Sequence, residues 1–239
     1  MFANLDWSVL WRPPFGDQIL NALLLTVEIA FISWIFAMIL GITVGMLREA
    51  PLAPVRWLAT GYVELFRNIP VLVQLFFVYF VMPRVLPMGA RQILFDFGWE
   101  TVAAIVALSL YSSAKIAEHV RAGMNTVGPG IRQAATASGL TWLQIQGYVV
   151  LPLLLRIISP SLTSEFVTIF KGSSLAMTVG AVETAYFTQQ LGTETFRWVE
   201  ANVYGTSVYL LCAWIIAGIM GFVERWSRVG GLTHRETVR

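Results

Sequence analysis

Charge is scarce in this chain: Asp, Glu, Lys and Arg make up 13% of its 239 residues, whereas 56% are hydrophobic. A soluble domain carries about 25% charged residues, so the composition is that of a membrane protein. Cysteine is nearly missing. Cys212 stands alone in an apolar run, which excludes an internal disulfide and leaves packing as its expected role. Histidine occurs only at His119 and His234, too few with one cysteine to build a zinc site. The Gly-rich phosphate loop ending in Gly-Lys-Ser/Thr is absent, so the chain is not expected to hydrolyse ATP. A Gly-x-Ser-x-Gly elbow is absent too, which removes the hydrolase reading. No catalytic residue, metal or cofactor is therefore expected. With no basic patch and a net charge of +2, nucleic acid is not a partner. No low-complexity tract divides the chain, so residues 1–239 are read as one membrane domain. The N-terminus lacks the basic start, short apolar core and small-residue cleavage site of a signal peptide, so the first apolar run is expected to remain as an anchor.

What is present is a series of long apolar runs. A crossing needs about 20 mostly apolar residues, and five stretches qualify: 19–46, 57–83, 101–122, 148–171 and 203–224, the fourth continuing less regularly to 189. The expected fold is all-α with five transmembrane helices. Trp7 and Trp11 suit the membrane interface, and Pro13 and Pro14 break any helix ahead of the first span. Arg48 and Arg56 follow the first run, Arg121 and Arg132 the third, and Arg225, Arg228, Arg235 and Arg239 the fifth. By the positive-inside rule those sides are expected to be cytoplasmic, with the N-terminus outside and the C-terminus inside. Asp96, Glu100, Glu183, Glu194 and Glu200 fall on the opposite loops.

Between the third and fourth runs lies a small-residue insert over 128–147. Ile131, Ala134, Ala135, Ala137 and Ser138 fall at helical spacings and predict a short helix with a nearly smooth face. Gly139 supplies a left-handed stop. Thr141 and Gln144 have the spacing of a capping box, so a second helix should begin there. The product is a helix-turn-helix elbow on the expected cytoplasmic side. Read without its surroundings, such a segment is also simply a packed connecting helix.

The ionisable residues inside the runs include Glu28, Glu64, Glu118 and Glu165, with Arg67, Lys115, Arg156 and Lys171. At bilayer depth such groups are expected to face one another or a water-filled path. Glu64 with Arg67, and Lys115 with Glu118, have the spacing to pair on their own helices, while Glu28 and Arg156 lie where snorkelling suffices. Ser161, Ser164, Glu165, Thr168, Lys171 and Gly172 form a polar stripe behind Pro152 and Pro160. That pattern suits either a bent helix lining a cavity or a helix packed on a partner subunit through small polar residues.

The order Gln133-Ala134-Ala135, three residues, Gly139, and later Leu151-Pro152 resembles the signature loop of the membrane subunits of ABC importers, with Gln133 in place of the family's Glu. Further motifs are similar to the polar amino acid permease family, which serves histidine, glutamate, glutamine and arginine uptake. They are Phe66-Arg67-Asn68-Ile69-Pro70 through Phe77, Ala117-Glu118 through Arg121-Ala122-Gly123, and Lys171-Gly172-Ser173-Ser174-Leu175. Tyr62 to Asn68 and Pro160 to Glu165 look most like the permeases for glutamate and aspartate. The resemblance implies the type I importer permease fold in a bacterial inner membrane. It also implies partners: ATP-binding-cassette ATPase subunits, a second permease subunit that is related but non-identical, and a periplasmic or extracellular amino-acid-binding protein. Gly130, Gln133, Ala134, Ala135 and Gly139 would form the ATPase-coupling surface. Lys115 stands where many members have Tyr and acidic amino acid permeases place a cation, so Arg67, Lys115, Ser164 and Glu165 are expected to line the substrate path. Two other classes stay open from the residues themselves: an ion-coupled transporter or channel, which inverted repeats would support, and a membrane scaffold without transport.

Overall fold

The structure is a computed structural model that describes residues 5–227; Arg228, His234, Arg235 and Arg239 of the C-terminal reading lie outside them. Every regular element among the described residues is helical. After a 3-10 turn at Trp7–Leu10 come α1 (Phe15–Leu47), α2 (Ala53–Asn68), α3 (Val71–Val85), α4 (Met88–Asp96) and α5 (Trp99–Val127). Then follow α6 (Pro129–Ala137), α7 (Trp142–Gln144) running through a π-helical segment Ile145–Val150 into α8 (Leu151–Gly172), a 3-10 stretch Ser173–Val179, α9 (Thr184–Thr195) and α10 (Trp198–Ser227). Four segments, Phe15–Leu47, Trp99–Val127, Trp142–Val179 and Trp198–Arg225, are each long and apolar enough to cross a membrane, and the α2–α3 pair makes a fifth if counted as one.

The centre of the molecule is the contact between α1 and α5. In α1 the buried positions are mostly small, Ala22, Thr26, Ala30, Ser33, Ala37, Gly41 and Gly45 among them. Small residues let two helix backbones approach where lipid offers no hydrophobic drive for association. A Cβ on Gly41 would stand 2.7 Å from both the Ser113 carbonyl oxygen and the Ile116 Cβ, and one on Gly45 would stand 2.5 Å from Val120 Cγ1. Ser109 in turn donates to the Ser33 carbonyl at 3.3 Å. These contacts advance together along both helices, so α1 and α5 run parallel. The chain must therefore cross back between them.

That return is made by α2 and α3, which meet at 102°. The sequence reads 57–83 as one apolar run; the structure breaks it at Ile69-Pro70. Proline disfavours helical geometry in the residue before it, and Ile69 is extended, with φ −92° and ψ 129°. The carbonyls freed by the break are not left bare, for Gln74 Nε2 donates to Phe66 O at 2.7 Å and Ile69 O at 2.9 Å. Such internal satisfaction is what tolerates irregular backbone at membrane depth. The indole of Trp99 donates to Tyr79 O at 3.0 Å and holds α3 against α5.

The other side of the core is closed by α8, α9 and α10. Gly123 admits Leu154 and Ile158, each 2.6 Å from a Cβ placed there. Glu183 caps α9, its carboxylate accepting from the amides of Ala185 and Tyr186 at 2.9 Å and from the Tyr209 hydroxyl at 2.6 Å. Thr26 of α1 donates to the same carboxylate at 3.3 Å, so one fully buried group joins α1, α9 and α10. Ahead of the first span, the Ser8 hydroxyl donates to Asp6 and holds its carboxyl below the usual carboxylate range, with Arg12 adding to the shift.

Candidate functional site

Within the 128–147 insert, α6 begins at Pro129, where a missing N–H costs nothing. Its buried residue is Ala135, which joins Leu140, Ile145 and Val150 in the main core cluster. Gly130, Gln133, Ala134 and Ala137 are exposed on the outer side. Gly139 adopts φ +81°, and its amide donates to Thr136 O at 2.9 Å. Thr141 then caps the next helix: its amide donates to Gln144 Oε1 at 2.8 Å while the Gln144 amide donates to Thr141 Oγ1 at 3.4 Å. Two large apolar side chains, Leu143 and Tyr148, are 74% and 77% exposed beside this smooth face. Arg132 ties the insert inward, with Nη1 3.4 Å from Glu49 and Nη2 donating to Met124 O at 3.2 Å. The surface is small-residued, nearly uncharged and rimmed by apolar groups, a shape suited to a partner groove.

The ionisable residues of the runs arrange themselves across helices. Lys115 of α5 reaches Glu165 of α8, with Nζ 2.9 Å from Oε2 and 3.1 Å from Oε1. The Glu165 side chain is 4% exposed and that of Lys115 29%, so the pair opens to one side. Lys115 Nζ also lies 5.4 Å from the centre of the Tyr111 ring. Glu118 collects three guanidinium groups: Arg48 Nη1 at 2.6 Å, Arg121 Nε at 2.9 Å and Arg67 Nη1 at 3.6 Å. Of the four expected path residues, the structure joins Lys115 to Glu165, places Arg67 against Glu118, and leaves Ser164 exposed with its hydroxyl donating to Pro160 O at 3.1 Å.

The within-helix pairs read from spacing are therefore replaced. Glu64 accepts from Asn68 at 3.1 Å in place of Arg67, and Lys115 turns to α8 in place of Glu118. Sequence reasoning missed the Arg48–Glu118 contact and the Tyr62–Ser113 hydrogen bond at 2.7 Å. The spacing of Glu118 and Arg121 was a legible signal for part of this cluster, whereas the contribution of Arg48 requires knowing that α1 and α5 run parallel. Glu28 and Arg156 are exposed and stand apart from both clusters.

Comparison with known proteins gives one consistent picture. The family described as binding-protein-dependent transport system inner membrane component matches residues 37–229. The glutamate/aspartate import permease protein GltJ of Escherichia coli (strain K12) is 33% identical, over 95% of this chain and 98% of its own. The arginine transport system permease protein ArtQ of Bacillus subtilis (strain 168) is 32% identical, over 93% of this chain and 97% of its own. Among solved structures, an amino acid ABC transporter crystallised with histidines superposes with a TM-score of 0.73 at 25% identity, covering 89% of this chain and 95% of that one.

Proposed function

We propose, on the premise that the chain belongs to the family of inner membrane components of binding-protein-dependent transport systems, that its cargo is an acidic amino acid, glutamate or aspartate. The chain is the non-catalytic permease subunit of an amino acid ABC importer. A separate ATPase drives it, a related permease subunit completes the path, and a binding protein delivers the cargo from outside. The α6 elbow, with Gly130, Gln133, Ala134, Ala135 and Gly139, is the surface that takes the ATPase. Nucleotide acts by binding one state of the assembly more tightly than the other.

The observation that carries the cargo assignment is the Lys115–Glu165 pair at 2.9 Å. The two charges satisfy each other, which is how intramembrane ionisable groups persist. An amino acid brings both signs, so it can exchange with the pair: a carboxylate onto Lys115 and the α-ammonium onto Glu165. Arg67, at 3.6 Å from a carboxylate already bonded by two other arginines, keeps guanidinium donors free for a second carboxylate. Ser164 is exposed beside Glu165 on the same helix. The near-equal identity to an arginine permease favours one other reading, a different polar amino acid such as arginine, glutamine or histidine.

Uptake of labelled glutamate by the reconstituted transporter, competed by aspartate, glutamine, arginine and histidine, tests the assignment. Lys115→Tyr is expected to lower glutamate uptake by about tenfold or more, as loss of a charge-assisted hydrogen bond worth about 1.5–3 kcal/mol implies, and Lys115→Arg to retain most of it. Competition by arginine alone, or unchanged uptake and selectivity in Lys115→Tyr, would refute it.

A further inference from the structure

None of the residues of α4 is buried. Met88, Ile93, Phe95 and, just past its end, Phe97 are 76%, 59%, 51% and 75% exposed. Single exposed apolar residues are ordinary, but a group of them on one short element calls for an occupant. Leu94 holds α4 down by packing on the core cluster that includes Trp99 and Ala103 of α5. The Phe95 ring stacks on Trp99, with centroids 5.8 Å apart and planes 13° from parallel. The 29 residues of α5 span about 43 Å at ~1.5 Å per residue, which is the thickness of a bilayer with its headgroups, about 40–45 Å. Trp99, its first residue, thus stands at the headgroup level of the leaflet away from the α6 elbow, and α4 lies there with it. We propose that α4 is an anchor for anionic phospholipid in that leaflet, Arg84 and Arg91 taking lipid phosphate while Met88, Ile93, Phe95 and Phe97 enter the acyl boundary. The proposal depends on neither the cargo nor the ATPase surface.

Charge decides what the occupant is. Arg84, in the last turn of α3, and Arg91, within α4, are both exposed, and among the described residues neither side chain has an ion-pair or hydrogen-bond partner. Asp96, the one acidic residue of α4, stands about 140° round the helix from Arg91 and forms no ion pair with either arginine. Two unpaired guanidinium groups at headgroup level complement phosphate, whose oxygens fit their planar fork. Arg91 and Gln92 line a groove of about 350 Å³ together with Met88 and Phe95. Polar groups beside apolar ones match a phospholipid where its headgroup meets its chains, and an arginine stem can lie along apolar surface while its head reaches phosphate. The geometry also favours a fluid occupant over a rigid one. Ile93 and Phe95 flank Leu94, each about 100° from it round the helix, so with Leu94 turned to the core they project to opposite sides. A protein partner would cover one side; lipid fills both.

The test reconstitutes the complete transporter, on a Cys212→Ala background, in liposomes of phosphatidylethanolamine and phosphatidylglycerol. Nitroxide labels placed singly at positions 93 and 95 are expected to collide more with oxygen, which partitions into lipid, than with a water-soluble nickel complex. In a second arm, a photoreactive benzoylphenylalanine in place of Gln92 is expected to capture phosphatidylglycerol in preference to phosphatidylcholine. That preference should fall about fivefold in Arg91→Gln, further when Arg84→Gln is added, and be kept by Arg91→Lys. Because both arginines are exposed and unpaired, these variants should melt like the wild type. The label arm keeps both arginines, so it reads the position of α4 whatever the variants do. Collisions dominated by nickel at either label would overturn the proposal, as would equal capture of the two lipids or an unchanged preference in Arg91→Gln. Immobilisation of the labels on adding an amino-acid-binding protein would overturn it by making α4 a protein-docking face. Spin coupling between labels on two copies would do so by making it a subunit contact.

Discussion

Glu118 carries an unequal load, since Arg48, Arg121 and Arg67 lie at 2.6, 2.9 and 3.6 Å from its single carboxylate. The Arg48 side chain is 11% exposed, so it depends on this contact, whereas Arg67 and Arg121 are 44% and 48% exposed and can turn to water. Removing one partner of a buried pair leaves the other charge uncompensated at a cost of about 3–5 kcal/mol, less where water has access. Glu118→Gln is therefore expected to lower the detergent melting temperature markedly, and the double variant Arg48→Gln/Glu118→Gln to recover part of the loss. Equal melting of both would remove Arg48 from the account. At this scale the sequence was only partly legible. Spacing suggests Lys115 with Glu118 and Glu64 with Arg67, whereas in the structure Lys115 and Arg67 turn to other helices and Glu64 accepts from Asn68 on its own; the pair it could have given, Glu118 with Arg121, is the one that forms. Spacing reports what one helix can do alone, and α5 is surrounded.

Apolar run length locates the helices but says nothing of their direction. The run 57–83 is apolar throughout, yet Pro70 divides it into two helices at 102°, because counting apolar residues gives no weight to the geometry that proline imposes on Ile69. The α1–α5 contact was likewise invisible to hydropathy, although Gly41 and Gly45, four residues apart, are a known small-residue signal for close helix approach. Gly41→Leu would drive a side chain into Ser113 and Ile116. Overpacking of this kind costs about 1–3 kcal/mol or more, and the expected result is a lower yield of folded permease and an earlier thermal transition. Gly61→Ala in α2 is the matched control: a Cβ there meets nothing within 4 Å, and relief of glycine's helix penalty should leave stability equal or raised by up to ~1 kcal/mol. Equal behaviour of the two variants would mean that α1 and α5 are not in close contact.

Across the whole molecule, the elbow and the ion clusters share one core. Ala135 and Ile145 pack with Ile116, Val120, Leu154 and Ile158, which flank Lys115 and Glu118 on α5 and lead to Glu165 on α8. A displacement of α6 therefore presses on the helices that hold both ion clusters, which is how a motor docked on the proposed surface would be coupled to the proposed path. The test must separate damage to the fold from damage to docking, and the two glycines of the elbow differ in that respect. Gly139→Asp forces a side chain into φ +81°, a strain of about 1–2 kcal/mol even in open space. Gly130 lies in the first turn of α6 with nothing within 4 Å of a Cβ, and an Asp there complements the helix dipole. Gly130→Asp is thus expected to insert and melt like the wild type, within ~0.5 kcal/mol, while losing uptake and co-purifying poorly with the ATPase. Gly139→Asp should show the same uncoupling with a small loss of stability. Wild-type uptake and ATPase retention in Gly130→Asp would place the docking surface elsewhere, whatever Gly139→Asp does, because only the Gly130 variant probes the exposed face without straining the turn behind it.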